Sequence, residues 1–266
     1  MILDTVFRVV SEDAETARRI ATHLIGFERT DRPARAAHII QITLDDEGTV
    51  TAHNDCRRFS LTTGDWDRLL TSVMAVINNA AIHRCADFAV HSSVVGANER
   101  IIALPATTGG GKTTLAAALV RAGLSYISDE ALVLDEDGRV IAYPKHMALS
   151  PWSAEAVGLG HGGHERLAIP QDLSGEFGKG GGVLTDVVVS QRGYDAPDLE
   201  PIPRSETVPA LLTHSFNHYK NPERAFRIVT EVARKAQAWR LTYGDPMEAA
   251  ALIARRIADM PPATTA

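Results

Sequence analysis

Apolar and polar positions alternate along this chain with two different periods, and the change of period marks the elements. Residues 3–10 read as a strand, after which Ser11 can cap a helix whose apolar set Ala14, Ala17, Ile20, Ala21 and Leu24 keeps the 3.6-residue spacing. Residues 25–37 are a connector. The stretches 38–44 and 49–53 flank Asp45-Asp46-Glu47-Gly48, an acidic turn that predicts a hairpin. A long helix follows, capped by Thr63 or Asp65, with a broad apolar face of Trp66, Leu69, Leu70, Val73, Ile77, Ala80 and Ala81. Two short strands, 88–95 and 100–105, then lead into a glycine-rich loop and a helix over 114–122 that Gly123 terminates. An apolar strand over 125–134, interrupted at Ser128-Asp129-Glu130, completes a strand–loop–helix–strand unit, and 139–143 returns as a further strand.

Downstream the pattern loosens. Residues 158–182 hold nine of the chain's twenty glycines and few large apolar side chains, which predicts a long mobile loop. Residues 183–190 and 238–243 read as strands. Asn221-Pro222-Glu223 and Asp245-Pro246-Met247-Glu248 each set a capping side chain before a first-turn proline and so announce two helices. Trp152 and Trp239 read as packing residues. The division that emerges is an amino-terminal α/β lobe over 1–87 packed on an α/β core over 88–266.

Composition narrows the class. With 266 residues, 45% hydrophobic and 23% charged, the chain can bury a full core without covalent staples. Two cysteines, Cys56 and Cys85, make no disulfide framework or metal pattern and fit a reducing cytoplasm. No basic-then-apolar leader opens the sequence and no run of 18 apolar residues occurs, so neither a targeting segment nor a membrane span is expected. A net charge of −6 argues against a nucleic-acid partner, whose binding draws on Lys and Arg at phosphates.

The chemistry concentrates between residues 91 and 130. Ala106-Thr107-Thr108-Gly109-Gly110-Gly111-Lys112-Thr113 fits the phosphate-loop pattern GxxxxGK[ST], with alanine at the first glycine. Glycines let main-chain N–H groups converge on phosphate oxygens without a Cβ in the way, and the helix that follows adds its positive end. Thr107, Thr108, Gly109, Gly110, Gly111, Lys112, Thr113 and Thr114 are therefore the expected nucleotide-binding residues, with Lys112 reaching the β- and γ-phosphates. Thr113 offers a hydroxyl to Mg2+. Sixteen to eighteen residues beyond Lys112, Ser128-Asp129-Glu130 brings two carboxylates to the adjoining strand end. His161 and His164 are spaced HxxH but lack a third ligand, and Gly178-Lys179-Gly180-Gly181-Gly182 lacks both the hydroxyl residue and the helix of a phosphate loop.

The order His91, the loop 106–113 and Ser128-Asp129-Glu130 resembles the HPr serine kinase/phosphorylase superfamily, in particular its short relatives encoded beside ribosomal-peptide biosynthesis genes. The resemblance implies a phosphate-loop kinase core of the HPr kinase and phosphoenolpyruvate carboxykinase type, a mixed sheet flanked by helices. It implies ATP and Mg2+ as cofactors and a serine of a peptide or protein as acceptor, a small hydroxylated metabolite being the alternative. It assigns Asp129 as the base toward the acceptor, His91 as a support of that aspartate or of the transferred phosphoryl group, and Glu130 as a residue that helps order Mg2+ beside Thr113. Members of that family assemble, so a homo-oligomer is an expectation. A nucleotide switch or ATPase without an acceptor is the competing reading, although no base-reading NKxD element of a GTPase occurs.

Overall fold

The computed structural model describes residues 3, 5–11, 13–27, 38–44, 50–54, 59–64, 66–107, 109–160, 162–193, 195–258 and 260. The amino-terminal elements are β1 (Phe7–Ser11), α1 (Ala14–His23), β2 (His38–Leu44), β3 (Val50–Asn54), β4 (Phe59–Thr63) and α2 (Trp66–Arg84). Then come β5 (Phe88–Ala97), β6 (Arg100–Pro105), α3 (Lys112–Arg121), β7 (Ser125–Ser128), β8 (Ala131–Leu134), β9 (Val140–Ile141), β10 (Met147–Leu149), α4 (Pro151–Ala156) and β11 (Arg166–Ala168). The chain closes with β12 (Asp186–Arg192), β13 (Asp198–Ile202), α5 (Thr207–Thr213), α6 (Pro222–Lys235), β14 (Gln237–Tyr243) and α7 (Pro246–Ile253).

The result is an α/β fold whose main sheet runs β13-β14-β12-β6-β5-β8-β9, with β7 also paired to β5. The sheet is mixed: β12 is parallel to β6 and β14, whereas β5 is antiparallel to β6, β7 and β8. Strand β5 thus lies between β6 and β7, so the unit from β6 through α3 to β7 skips one strand. A smaller sheet runs β1-β2-β3-β4, and β10 pairs with β11. No helix among the described residues is long and apolar enough to cross a membrane.

Helices cover both faces of the main sheet, which is why its central strands β5 and β6 are buried on both faces rather than on alternate positions. On one face Phe88, Val90 and Val94 of β5 pack with Ile228, Val229 and Val232 of α6. On the other, Val95 joins Leu115 and Leu119 of α3 and Ile253 of α7, while Ala89 joins Val73 and Ile77 of α2 and Ile40 and Ile42 of β2. The second face therefore carries two separate apolar clusters, and the β5 residues lying between them on that face are His91 and Ser93.

Several boundaries depart from the pattern. Leu3 lies in a turn, and Asp13 rather than Ser11 caps α1, accepting from Thr16 N. The hairpin gains a third strand, β4, at which Thr63 ends; the acidic turn 45–48, Asp65, Cys56 and most of the connector fall outside the described residues. Strand β13 escapes a hydrophobicity reading because, as a sheet edge, it tolerates Pro201 and two acidic residues. The stretch 158–182, predicted as a mobile loop, carries β11 and a 3-10 turn at Pro170–Leu173 and is bridged to the core at Tyr126–Phe177. Several of its glycines serve close approach: a Cβ at Gly178 would stand 2.7 Å from Ser125 Oγ, and one at Gly180 2.7 Å from Val140 O. The two proline-led helices form as predicted, with Asn221 accepting from Arg224 N and Asp245 from Met247 N and Glu248 N.

Candidate functional site

The glycine loop leaves the carboxyl end of β6 and turns directly into α3. Gly109 and Gly111 have φ of 80° and 82°, the left-handed region that glycine enters without strain. Gly110 is required by space instead, since a Cβ there would lie 3.0 Å from Ala106 Cβ and from Thr107 O. Ala106 is buried and is not among the residues with positive φ, so its methyl is accommodated where the pattern has glycine. The first intrahelical bond runs from Leu115 N to Gly111 O, 2.9 Å, and no side chain caps α3. Among the described residues the N–H groups of Thr113 and Thr114 find no carbonyl partner four residues back, the condition in which a helix start attracts an anion. Thr108 lies outside the described residues, and Thr107 is exposed.

Lys112, Thr113 and Asp129 converge here. Thr113 Oγ1 donates to both carboxylate oxygens of Asp129, at 3.1 and 3.2 Å. Ser93 Oγ donates to the same carboxylate at 2.5 Å, and Lys145 Nζ stands 3.9 Å from it. Asp129 is 1% exposed and Lys112 6%, so the cluster is desolvated. Burial lowers the Lys112 pKa, while the carboxylates of Asp129 and Glu130 pull it back up.

Glu130 is turned another way. It interrupts the apolar stretch with φ 83°, a conformation that costs a non-glycine residue roughly 1–3 kcal/mol and so marks a place held by its surroundings. That kink separates β7 from β8. Its Oε1 lies 3.3 Å from Nε2 of His91, whose ring packs against Phe216 at 5.4 Å. The His91 hydrogen bond, together with Lys145 and Lys112, holds the Glu130 pKa down at about 2 against the opposing effect of burial.

Sequence reasoning pairs Thr113 with Glu130 on one metal. The structure instead pairs Thr113 with Asp129 and gives Glu130 to His91. Thr114 turns its hydroxyl inward to Ser153 Oγ, 2.8 Å, leaving only its main chain for a ligand. Lys145 and Ser93 are additions. Ser93 had a legible signal, a hydroxyl two residues beyond His91 on the same strand face, whereas nothing local in Tyr143-Pro144-Lys145-His146 announces Lys145. His161 lies outside the described residues, and among those described no group of three or more His, Cys, Asp or Glu residues is placed to hold a metal.

A cavity of about 470 Å3 opens against Glu130 and Lys145. Met74, Asn78, Asn79 and Ile82 of α2 wall it on one side, Ala148 and Leu167 of the β10–β11 ribbon on another, and Phe216 and Tyr219 on a third. The arrangement offers an anion cradle, a hydroxyl–carboxylate pair suited to a hard divalent cation, a buried lysine, and a second carboxylate facing a separate space. No known protein-family profile matches the chain, and no curated protein matches it.

Proposed function

We propose that this chain is a Mg2+-dependent kinase, with a P-loop core of the HPr kinase type, that moves the γ-phosphoryl group of ATP to a hydroxyl, a serine of a peptide or protein. The contact of Thr113 Oγ1 with the Asp129 carboxylate beside the glycine loop carries the reading, because a metal-binding hydroxyl at a helix start and an acidic strand end meet at hydrogen-bond distance. Thr113 and Asp129 would hold Mg2+, which supplies charge neutralisation at the phosphates when bound. The N–H groups of residues 111–114 and the Lys112 side chain receive the β- and γ-phosphates, the Gly110 N–H being spent on Thr107 O at 3.0 Å. Glu130, fixed by His91, faces the cavity through which the acceptor arrives, orients its hydroxyl and takes its proton as the oxygen bonds to the γ-phosphorus and the bond to the departing ADP oxygen breaks. The transition state is loose, so the proton leaves late and a weakly basic carboxylate serves. This division reverses the roles that the resemblance implies for Asp129 and Glu130.

Transfer from labelled ATP, measured beside nucleotide binding, tests it. Glu130→Gln should keep Mg·ATP affinity and lose about 10²–10⁴-fold in transfer. Asp129→Asn should lose the preference for Mg·ATP over metal-free ATP, and Lys112→Ala should lose affinity for the triphosphate. Wild-type turnover in Glu130→Gln would return the base to Asp129, and wild-type ATP binding in Lys112→Ala would remove the nucleotide site altogether. A small hydroxylated metabolite is the second reading for the acceptor, favoured by the cavity volume, which falls within the roughly 300–1,000 Å3 of small-molecule sites. Serine peptides and small alcohols offered in parallel separate the two.

A further inference from the structure

The nucleotide reading says nothing of the base, and the sheet has a second side on which to look for it. Strands β6, β12 and β14 run parallel, and ligands of open α/β sheets gather at the carboxyl ends of such strands. His91, Ser93, Asp129 and Glu130 lie to the β5 side of the glycine loop. To the other side, the last residues of β12 and β14 are Arg192 and Tyr243, paired in register. Both press on the loop: a Cβ at Gly111 would meet Tyr243 Oη at 2.9 Å and Arg192 Cδ at 3.4 Å.

The Arg192 guanidinium lies 4.5 Å from the ring centre of Trp152, and Arg192 is itself exposed. Trp152 is 47% exposed, whereas Trp239 is buried with its indole N–H on Asp186. The expectation that both tryptophans are packing residues holds for Trp239 alone. Leaving an indole half in water forgoes apolar burial, yet this one is anchored with care. Ser150 caps α4 by accepting from Ser153 N, and Ser153 Oγ bonds the hydroxyl of Thr114, the residue directly after the Lys-Thr pair of the loop. The aromatic surface is thus tied to the first turn of α3, on the flank away from the two carboxylates.

We infer that Trp152 and Arg192 form the platform on which the purine base of the bound nucleotide stacks. The inference rests on the nucleotide reading above and adds a direction to it: the base lies toward β12 and β14, and the terminal phosphate toward Asp129 and Glu130. With the guanidinium over one face of the indole, the planes left for stacking are the outer face of Arg192 and the opposite face of Trp152; either accepts any purine, so the platform contributes affinity and little discrimination between adenine and guanine.

Calorimetry with Mg·ATP and with Mg·tripolyphosphate, which has no base, tests the platform. Trp152→Ala should weaken ATP about tenfold and leave tripolyphosphate unchanged, Trp152→Phe should recover most of the loss, and Arg192→Ala should weaken ATP selectively as well. Unchanged ATP affinity in Trp152→Ala would overturn the inference, as would equal weakening of ATP and tripolyphosphate, which would mean that the indole acts through the loop. Failure of the wild-type protein to bind either ligand would remove the nucleotide reading itself.

Discussion

Two aspartates, Asp186 in the main sheet and Asp129 in the break between β7 and β8, are almost equally hidden from water and surrounded in opposite ways. Asp186, 0% exposed, receives a forked pair of bonds from Arg100 at 3.0 and 2.9 Å, the Trp239 indole N–H at 2.9 Å and the Thr185 hydroxyl at 2.8 Å. Asp129, 1% exposed, receives two hydroxyls and a lysine no nearer than 3.9 Å. A guanidinium matches a carboxylate in charge and in plane and cannot shed its proton, and with the indole N–H and the Thr185 hydroxyl it fills the acceptor positions of Asp186. Hydroxyls rotate, donate or accept, and leave the negative charge available to a cation. The first arrangement locks β6, β12 and β14 together; the second leaves the carboxylate's charge balanced, among the described residues, by a lysine no nearer than 3.9 Å.

Substitution can break that contrast. Asp186→Asn should cost about 3–5 kcal/mol of folding stability in urea titration, because the amide leaves Arg100 charged, buried and facing another donor. The acid response should come next in size, and it originates near the second aspartate. Burial, with His23 and Lys145 adding to it, holds the pKa of His146 at about 3, below its ordinary 6.5. The folded state then binds fewer protons than the unfolded chain between those values, so stability is intact above pH 6.5 and falls as the pH drops toward 3. At pH 5 the loss from this residue is about 2 kcal/mol, and unfolding of His146→Gln compared with wild type at pH 7 and pH 5 should show a smaller decline in the variant. His23 and His214, also lowered chiefly by burial, leave a remaining slope of the same sign. The smallest effect belongs to Asp129→Asn, for which we expect less than about 1 kcal/mol in urea, since Ser93 and Thr113 can redirect their hydroxyls. A cost equal to that of Asp186→Asn would show that both aspartates are structural locks.

The contrast also explains what could be read in advance. Local rules make α2 legible through its apolar periodicity, and α6 and α7 through their Asn-Pro and Asp-Pro starts. The loop before α3 was readable because its glycines are needed for local backbone reasons, two for φ and one for space. Interactions between distant segments were not. The left-handed Glu130 that parts β7 from β8 is held by His91, thirty-nine residues earlier, and Lys145 reaches Asp129 only once β9 and β10 have folded back. Gly178 and Gly180 look identical in sequence to glycines of a free loop, and only their neighbours at Ser125 and Val140 show that they permit contact. Exposure of Trp152 has no local signature either, for the same residue type is buried at Trp239.

The seam on β5, where Ala89 belongs to one apolar cluster and Val95 to another, has an evolutionary corollary. Much of the cavity wall comes from α2, on one side of the seam, while the glycine loop, Asp129 and the indole come from chain beyond residue 88. On the kinase reading proposed above, α2 would share the choice of acceptor with the cavity residues around 145–167 and 216–220, while the phosphate donor would be handled by the glycine loop. A chimaera that grafts a different α2 face onto this core would then change the acceptor preference and keep the donor.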